Sequence, residues 1–459
     1  KLAFTCSPQT GTPATYTGTA EIDTLILADQ ASDVTISGLD ANDIVSVSAA
    51  ALAANALSNY KVFGNAGNDT IRLGGATVQQ VYGQDGNDRL EGSAALVVNT
   101  VALGKNADEL VFSGTISSSL GLGRGHDKVS ASTITFGATT ASFMLGEGRD
   151  TVNALNLTYA GSANTFLGDA GNGTNAGADS IVVEFGGNTT ALKFNAGGGN
   201  DTIGFSGTFA SANLAFGKGD DKVNLYNEFS GNTTVGGGQG SDTITIGATL
   251  DNTAWIKGGV GNDSIALAAS TVSGQALTSI EGGAGSDTIQ FGVQNLTGTS
   301  TTNTLFLSAL SDSNLAATDL VAFGNKTTTG NFNANFNFNN SASTIVVGTT
   351  TGVAIFGSVT NKATVANGVV SFSGTLSTDA ASSITAAMTN VDKLTLNSTL
   401  SNDGEGTAVV FTANSKTYLF MQGGTAGVAD DGLIQLSAAD TMVSLSINGS
   451  AALVTYTGA

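Results

Sequence analysis

The sequence predicts an all-β protein. We expect a right-handed parallel β-solenoid over residues 15–292, preceded by an irregular segment at 1–14 and followed by a C-terminal β-rich domain at 293–459. Three observations support this fold class. A glycine-rich motif with one aspartate recurs about every 20 residues. Apolar and polar residues alternate after each motif. Gly and Thr are abundant and Val and Ile recur at the apolar positions, which favours many short strands joined by turns.

The repeat is defined by its aspartate, and positions are counted from it, so that −2 is two residues before it. The repeat aspartates are Asp69, Asp88, Asp108, Asp127, Asp150, Asp179, Asp201, Asp221, Asp242, Asp263 and Asp287. Position −2 is glycine in ten of the eleven repeats, with Asn106 as the exception, and position +2 is always Ile, Val or Leu. Position −7 is apolar in ten, with Asn172 as the exception. The pattern predicts a strand, a glycine turn and a second strand, with apolar side chains facing inward.

Two earlier units, around Asp23 and Asp43, keep apolar positions without the full glycine motif, which gives about thirteen coils. We expect these two coils to cap the solenoid without metal. Successive aspartates lie 19 to 29 residues apart, and the variation falls after the second strand, so one turn is constrained and the opposite turn is not. The repeats of Asp108 and Asp179 fit least well. The first lacks the second glycine, and the other contains an insertion.

The stretch EGGAGSDTIQF (residues 281–291) and its near-copies follow the pattern G-G-x-G-x-D-x-aliphatic. This pattern resembles the repeat of the RTX (repeats-in-toxin) family, whose tandem nonapeptides form a parallel β-roll with calcium between stacked turns. The present sequence differs from the family because it has one motif per coil instead of two. The resemblance covers about half of the chain and implies an RTX-like β-roll with one calcium turn per coil, along one edge only.

The chemistry of the motif agrees with calcium at all eleven aspartates. Calcium takes six to eight oxygen ligands from carboxylates and backbone carbonyls, and glycines allow a turn to direct its carbonyls toward one point. Bare carboxylates stacked about 4.8 Å apart would repel one another, and a cation between successive turns removes that repulsion. Eleven turns leave about ten gaps, and ten calcium ions would roughly balance the net charge of −20. The alternative is that the aspartates only cap their turns through Asx hydrogen bonds.

The composition narrows the expected partners. A net charge of −20 disfavours nucleic acid and anionic membrane surfaces. Cys6 is the only cysteine, so no intrachain disulfide forms. No apolar run reaches the roughly 18 residues of a membrane helix, and no signal peptide is visible at the N-terminus. We expect neither nucleic-acid binding nor membrane insertion.

The region after residue 293 lacks the motif. NFNANFNFNN (331–340) is read as an ordinary strand with one buried face, or alternatively as a subunit contact. GTAVVFTANSKTYLFMQGG (406–424) and DDGLIQLS (430–437) predict a hairpin followed by another strand. This part is similar to the C-terminal region of RTX proteins exported by type I secretion, which implies an uncleaved signal in the last ~60 residues. The same resemblance implies a chain that folds only outside the cell, where calcium is plentiful.

No catalytic motif appears, and we expect no enzyme activity. His126, the only histidine, fills the variable position −1 and is read as an exposed turn residue. The repeats resemble those of secreted bacterial surface-layer proteins, which implies a calcium-binding structural protein of the cell surface. It would assemble with itself, with cell-surface polysaccharide as a second partner. The alternative is a calcium-dependent adhesin. Ice binding is disfavoured because Arg89, Glu109 and Lys128 interrupt the column of small polar residues at position +1.

Overall fold

The computed structural model describes most of the repeat region and shorter parts of the C-terminal region. The described residues are 5–7, 14–27, 34–47, 60–75, 77–161, 164–169, 177–247, 249–251, 254–267, 271–273, 279–285, 287–291, 304–308, 319–323, 332–337, 346–347, 354–357, 361–366, 369–382, 386–387, 390–391, 407–413, 416–421, 432–436, 442–448 and 451–456. The chain divides into two compact units, Lys1–Asn227 and Glu228–Ala459, which are considered separately below.

The described strands of the first unit are either short or long enough to continue around a corner of the coil. They are β1 (Thr5–Ser7), β2 (Ala14–Thr17), β3 (Thr24–Leu27), β4 (Val34–Asp40), β5 (Ile44–Val47), β6 (Lys61–Ala66), β7 (Thr70–Leu73), β8 (Thr77–Asp85), β9 (Arg89–Lys105), β10 (Glu109–Arg124), β11 (Lys128–Phe136), β12 (Ser142–Glu147), β13 (Thr151–Tyr159), β14 (Thr165–Leu167), β15 (Ser180–Thr190), β16 (Lys193–Asn195), β17 (Thr202–Ala210), β18 (Asn213–Lys218) and β19 (Lys222–Ser230), the last of which ends beyond the division.

The second unit contains further coil strands and a C-terminal group. The coil strands are β20 (Thr234–Gln239), β21 (Thr243–Ile246), β22 (Thr249–Asp251), β23 (Trp255–Val260), β24 (Ser264–Leu267), β25 (Thr271–Ser273), β26 (Ser279–Ala284), β27 (Thr288–Phe291), β28 (Thr304–Ser308) and β29 (Asp319–Phe323). The C-terminal elements are β30 (Phe332–Asn337), β31 (Val346–Val347), β32 (Ala354–Gly357), β33 (Lys362–Ala366), β34 (Val369–Ser373), helix α1 (Thr375–Ser382), β35 (Thr407–Ala413), β36 (Lys416–Met421), β37 (Gly432–Leu436), β38 (Met442–Asn448) and β39 (Ala451–Tyr456).

Parallel pairing between equivalent residues of successive coils confirms the predicted β-solenoid. Val62 at position −7 pairs with Val81, which holds the same position one repeat later, and Ile71 at +2 pairs with Leu90. The second unit follows the same rule, because β20 pairs with β23 and β21 with β24. Parallel pairing also extends past the predicted end at residue 292, since β26 pairs with β28 and β27 with β29.

Several of the described coils also contain a third paired segment, which the two-strand repeat did not predict. In the first unit, Ile134 of β11 pairs with Leu157 of β13 after a gap in the register. In the second unit, β22 pairs in parallel with β25. Both Ile134 and Leu157 are fully buried. The region of variable length after the second strand therefore adds a third side to the coil and contributes to its core.

Columns of identical or similar side chains fill the interior of the coils. The column at position +2 includes Val45, Ile71, Leu90, Leu110, Val129, Val152, Ile181, Ile203 and Val223, each at most 2% exposed. Phe143 and Phe166 stack with their ring centroids 4.4 Å apart, and Phe166 meets Phe194 edge to face at 5.2 Å. Such burial is worth about 1.5–3 kcal/mol per large apolar side chain, so the columns are the main stabilising element of the solenoid.

The aromatic column explains why Asn172 is an exception to the rule that position −7 is apolar. Phe166, not Asn172, occupies position −7 of the Asp179 coil, because it pairs with Phe143 on one side and Phe194 on the other. Phe166 lies 13 residues before Asp179, whereas the regular spacing is seven. The additional residues fall within 170–176, which lie outside the described residues. The coil therefore keeps its apolar column, and its insertion lies in the glycine turn.

The C-terminal part of the second unit is largely antiparallel. β35 and β36 form the predicted hairpin, and β37 pairs with β36 as the expected next strand. Side chains of β35, β36 and α1 contribute to a core that includes Val409, Phe411 and Phe420. β30 from the Asn/Phe stretch is a strand that pairs with β28 and β39. Among the described residues, no helix has the length and apolar character needed to cross a membrane.

Candidate metal centre

The glycine turn brings successive coils unusually close together. Gly123 at position −4 and Gly125 at −2 have φ of 117° and 145°, which side-chain-bearing residues rarely adopt. A Cβ on either residue would overlap a backbone carbonyl oxygen of the preceding coil, at Gly104 and Asn106 respectively. Two positive φ values separated by one residue fold the chain sharply, and the missing side chains leave room for the neighbouring coil. The sequence pattern G-G-x-G-x-D contains both of these glycines.

This turn directs every repeat aspartate inward. All eleven predicted site residues, together with Asp23 and Asp43, are only 1–2% exposed. Asp108 and Asp179, whose repeats fit least well, occupy the same place as the others. Asp23 and Asp43, which we expected to differ, also share it. We call these thirteen residues the ladder aspartates.

The ladder aspartates are linked directly to one another by hydrogen bonds. In the first unit, each backbone N–H from Asp23 to Asp201 donates to the carboxylate Oδ1 of the next ladder aspartate, at 2.7–2.9 Å. In the second unit, Asp242 donates to Asp263 and Asp263 to Asp287, both at 2.8 Å. The structure therefore brings the predicted site residues together as a column, with one carboxylate per coil.

Backbone hydrogen bonds between coils complete this pattern, and one oxygen atom of the carboxylate takes no part in it. The carbonyl of Asp69 accepts the N–H of Arg89, and the carbonyl of Asp88 accepts that of Glu109, at 2.8 and 2.7 Å. The second carboxylate oxygen, Oδ2, is buried and accepts no hydrogen bond in Asp43, Asp69, Asp88, Asp108, Asp127, Asp150, Asp179, Asp201 and Asp263. A buried carboxylate oxygen without a partner is costly, so each of these carboxyl groups needs either a proton or a cation.

The residue at position −5 determines which atoms surround the Oδ2 atom of its coil. In the Asp69 coil, position −5 is Gly64, and a Cβ there would overlap Asp69 Oδ2 and lie 2.8 Å from the carbonyl oxygen of Gly83. In the Asp127 coil, position −5 is Leu122, which is fully buried. The missing side chain of Gly64 thus makes space for the carboxylate, whereas Leu122 packs an apolar side chain into the same layer of the core.

Burial raises the pKa values of nine ladder carboxyl groups, those of Asp43, Asp69, Asp88, Asp108, Asp127, Asp150, Asp179, Asp201 and Asp263. Loss of hydration is the largest cause, and it raises the pKa of Asp69 to about 6, of Asp88 and Asp127 to about 7, and of Asp108 and Asp179 to about 8. Hydrogen bonds from the backbone of the preceding ladder aspartate act in the opposite direction, and neighbouring carboxylates raise the values further. The charged form of the ladder therefore requires compensation at neutral pH.

A second ladder at position −1 was missed by the sequence analysis. The amide oxygen of Asn42 accepts the N–H of Asn68, and the side chain of Asn68 accepts the N–H of Asn87, both at 2.7 Å. His126 occupies this position too, and its Nδ1 accepts the N–H of Arg149 at 2.9 Å. In these bonds, the N–H of the following coil donates to the side chain of the preceding coil. In the ladder of aspartates, the N–H of the preceding coil donates to the side chain of the following coil. The recurrence of Asn, Ser and His at position −1 is the signal that could have revealed it.

Asp169 is a further buried carboxylate that the repeat frame did not include. It lies immediately before residues 170–176, is 5% exposed, and accepts the N–H of Gly177 through Oδ2 at 3.0 Å. Its sequence context, GDAGNG, resembles the glycine motif without the spacing that would align it. Only the pairing of Phe166 with Phe194 shows that Asp169 belongs to the turn of the Asp179 coil.

The ladder meets the requirements of a hard cation such as calcium. Its donors are carboxylate oxygens and backbone carbonyls, and its Oδ2 atoms need a positive partner. Within the described part of the chain, no group of three or more His, Cys, Asp or Glu side chains is arranged to hold a metal ion. An ion at the ladder would therefore combine one or two carboxylates with backbone carbonyls, which is an arrangement calcium accepts.

Comparison with known proteins adds no relative. No protein-family model matches the chain, and neither a curated protein nor a solved structure shows significant similarity to it. The likeness to RTX repeats thus rests on the glycine–aspartate motif and on the parallel solenoid with stacked aspartates.

Proposed function

We propose that this chain is a secreted calcium-binding structural protein of the cell surface, with a structural instead of a catalytic role. The observation that supports it best is the column of ladder aspartates, most of which have one buried oxygen atom that accepts no hydrogen bond. Calcium between successive coils would neutralise these carboxylates and would bridge oxygen atoms of each coil and the next. The chemistry supplied by the ion is charge compensation and bridging of oxygen atoms, with no reaction.

The ligand types favour calcium over other metals. Zinc sites in proteins are built from Cys and His, and this chain has one residue of each. Magnesium requires near-ideal octahedral geometry and keeps most of its water. A buried column of carboxylates and carbonyls offers few water positions, and calcium tolerates such irregular coordination.

The extracellular location follows from the same requirement. Without cation, the charged ladder destabilises the fold, and calcium is scarce in cytosol and plentiful outside cells. A calcium-dependent solenoid would thus remain unfolded during export and fold outside. The resemblance to RTX surface-layer proteins supports assembly with further copies of this chain into a lattice or matrix, with cell-surface polysaccharide as the anchor.

The first experiment compares calcium-induced stabilisation in wild type and two variants. Asp127→Asn retains an Oδ1 acceptor for the Asp108 N–H but removes the buried charge. Asp40→Asn makes the same charge change at an exposed turn position and is the control. We expect the increase in melting temperature between excess EGTA and millimolar calcium to be smaller in Asp127→Asn, and unchanged in Asp40→Asn. Equal increases in all three proteins would refute calcium binding at the ladder.

The second experiment tests assembly. Light scattering and electron microscopy of the purified chain would be recorded in EGTA and after addition of calcium. Ordered sheets or filaments that form only with calcium are the expected result. A chain that folds with calcium and stays monomeric would refute self-assembly by this chain and favour the adhesin alternative, while the ladder assignment would stand.

A further inference from the structure

The turn of the Asp179 coil differs from every regular turn because it contains a second inward carboxylate. Phe166 pairs with Phe194 and Leu167 with Asn195. The backbone N–H groups of Gly168 and Asp169 then donate to the carbonyls of Asn195 and Ala196, at 2.7 and 2.9 Å. Asp169 therefore lies beside Gly197. It takes the place of position −4 in its own coil, the Asp179 coil. The Asp23 coil has Thr19 there, and the other coils have glycine, or Leu39, Asn65 or Gln84 with positive φ.

Asp169 is held in place through its own turn. Its Oδ2 accepts the N–H of Gly177, which is two residues before Asp179. The position of Gly197 confirms the close fit, because a Cβ there would lie only 2.7 Å from the Cβ of Asp169. Asp169 is thus held between Gly177 of its own coil and Gly197 of the next.

The remaining oxygen of Asp169 has no hydrogen-bond partner. Oδ1 is buried and accepts no bond, and the same holds for Oδ2 of Asp150, Asp179 and Asp201. Asp169 is 5% exposed and these three ladder aspartates 1–2%. Their charges interact, since Asp150 raises the pKa of Asp169, and Asp169 raises the pKa values of both Asp179 and Asp201. No Lys or Arg forms an ion pair with any of the four among the described residues.

We propose that Asp169 and Asp179 together form a calcium site that differs from the regular ladder positions in having a second carboxylate, and that it binds calcium with higher affinity than they do. Two carboxylates from one turn supply more negative charge than the single carboxylate of a regular coil, and backbone carbonyls complete the oxygen ligands. Calcium affinity rises with the number of charged ligands and with their rigidity. Asp169 meets both conditions, because it adds one charge and is held by Gly177.

This inference goes beyond the proposed function, because it concerns a carboxylate outside the repeat, although it relies on the same chemistry of calcium and buried oxygen. It predicts that the first calcium ion enters at the insertion turn and that the ladder fills at higher concentration. The insertion would then mark the point from which calcium-dependent ordering begins.

The test is a calcium titration of the full chain against a competing fluorescent chelator, in a background of magnesium. The variants are Asp169→Asn, which can still accept the Gly177 N–H, and Asp40→Asn as the control for charge. We expect wild type and Asp40→Asn to show one step tighter than the rest. In Asp169→Asn, this step should be weakened roughly tenfold or more, while the later steps remain.

The outcomes separate the two proposals. If the tightest step is unchanged in Asp169→Asn while the ladder binds calcium, the Asp169 site is refuted and the proposed function stands. If wild type binds no calcium at all, both are refuted. Folding is checked by circular dichroism in EGTA, where Asp169→Asn should melt no lower than wild type because a buried charge has been removed. A variant that melts lower in EGTA shows a purely structural role for Asp169 and refutes the site.

Discussion

Coils with glycine and coils with leucine at position −5 share one ladder in the first unit. The coils of Asp43, Asp69 and Asp88 have glycine at position −5, whereas those of Asp108, Asp127 and Asp150 have leucine there. The N–H to Oδ1 bonds are the same in both kinds, at 2.7–2.9 Å. The ladder is therefore determined by the backbone and the aspartate, and position −5 changes only the surroundings of the carboxylate.

The difference shows how one repeat can vary its stability without changing its bonds. In a glycine coil the carboxylate occupies the space of the missing side chain. In a leucine coil the side chain adds apolar burial next to the charge. Burial raises the pKa of Asp88, in a glycine coil, and of Asp127, in a leucine coil, to about 7 in both, so position −5 alone does not set these values.

The largest effect is expected where the backbones of neighbouring coils touch, in either kind of coil. Gly123→Ala should lower the free energy of unfolding by about 2–4 kcal/mol, because the residue has positive φ and its Cβ would overlap the Gly104 carbonyl. Gly121→Ala is the matched control, since the nearest atom to its Cβ would be the Met144 side chain at 3.9 Å. Chemical denaturation in calcium measures both. Similar losses in the two variants would contradict the close-contact explanation.

The second prediction contrasts the two kinds of coil directly. Leu122→Ala should cost about 2–4 kcal/mol with or without calcium, because it leaves a cavity in the core. Gly64→Ala should cost about 1–3 kcal/mol in calcium and less in EGTA, because its Cβ displaces the Asp69 carboxylate that the ion requires. Denaturation with and without calcium gives both differences. If Gly64→Ala loses the same amount in both conditions, position −5 does not influence the ion.

The third prediction concerns pH. Burial raises the pKa values of nine ladder carboxyl groups in the folded state, to about 6 for Asp69 and about 8 for Asp108, against an ordinary value of 3.8. The folded chain therefore holds more protons than the unfolded chain between pH 4 and 8, so its stability in EGTA should fall as pH rises through this window. Calcium replaces the protons, and its stabilising effect should increase over the same range.

Thermal melts at pH 5 and pH 8, each with EGTA and with calcium, provide the measurement. The expected order is a lower melting temperature at pH 8 than at pH 5 in EGTA, and a smaller or reversed difference in calcium. A chain that becomes more stable toward pH 8 in EGTA would show that its carboxylates are compensated without metal, as in the Asx-capping alternative.

The smallest effect is expected at the exposed second ladder, which both kinds of coil share. Asn87→Ala removes the acceptor for the Ala107 N–H, a 3.0 Å bond near solvent. The expected loss is about 0.5–1 kcal/mol, because water can replace this partner. Asn87→Ser keeps an acceptor, as Ser241 does for Asn262 in the second unit, and should recover part of the loss. A loss above about 2 kcal/mol would show that the second ladder is more than a local bond.

The sequence predicted the features that repeat and missed those that depend on packing. The spacing of aspartates and the alternation of apolar residues predicted the parallel coils, the stacking of the aspartates and the hairpin of β35 and β36, because each is encoded by local periodicity. The third side of the coil was not predicted, since its residues keep no fixed distance from the aspartate. Asp169 and Phe166 were missed for the same reason, because the inserted residues shift them out of the frame. The close contact between Gly64 and the Asp69 carboxylate depends on the shape of the turn, which no single residue predicts.

The one-to-one stacking of coils has a mechanical consequence. A chain pulled from its end peels a parallel stack one layer at a time, because each coil is bonded only to its immediate neighbours. Each event in the first unit would release a regular layer of about 20 residues, or roughly 70 Å of extended chain. The layer that ends at Asp179 would release a longer segment because of its insertion. Under tension, such a stack would yield in steps and dissipate force gradually, with the ions setting how hard each layer must be pulled.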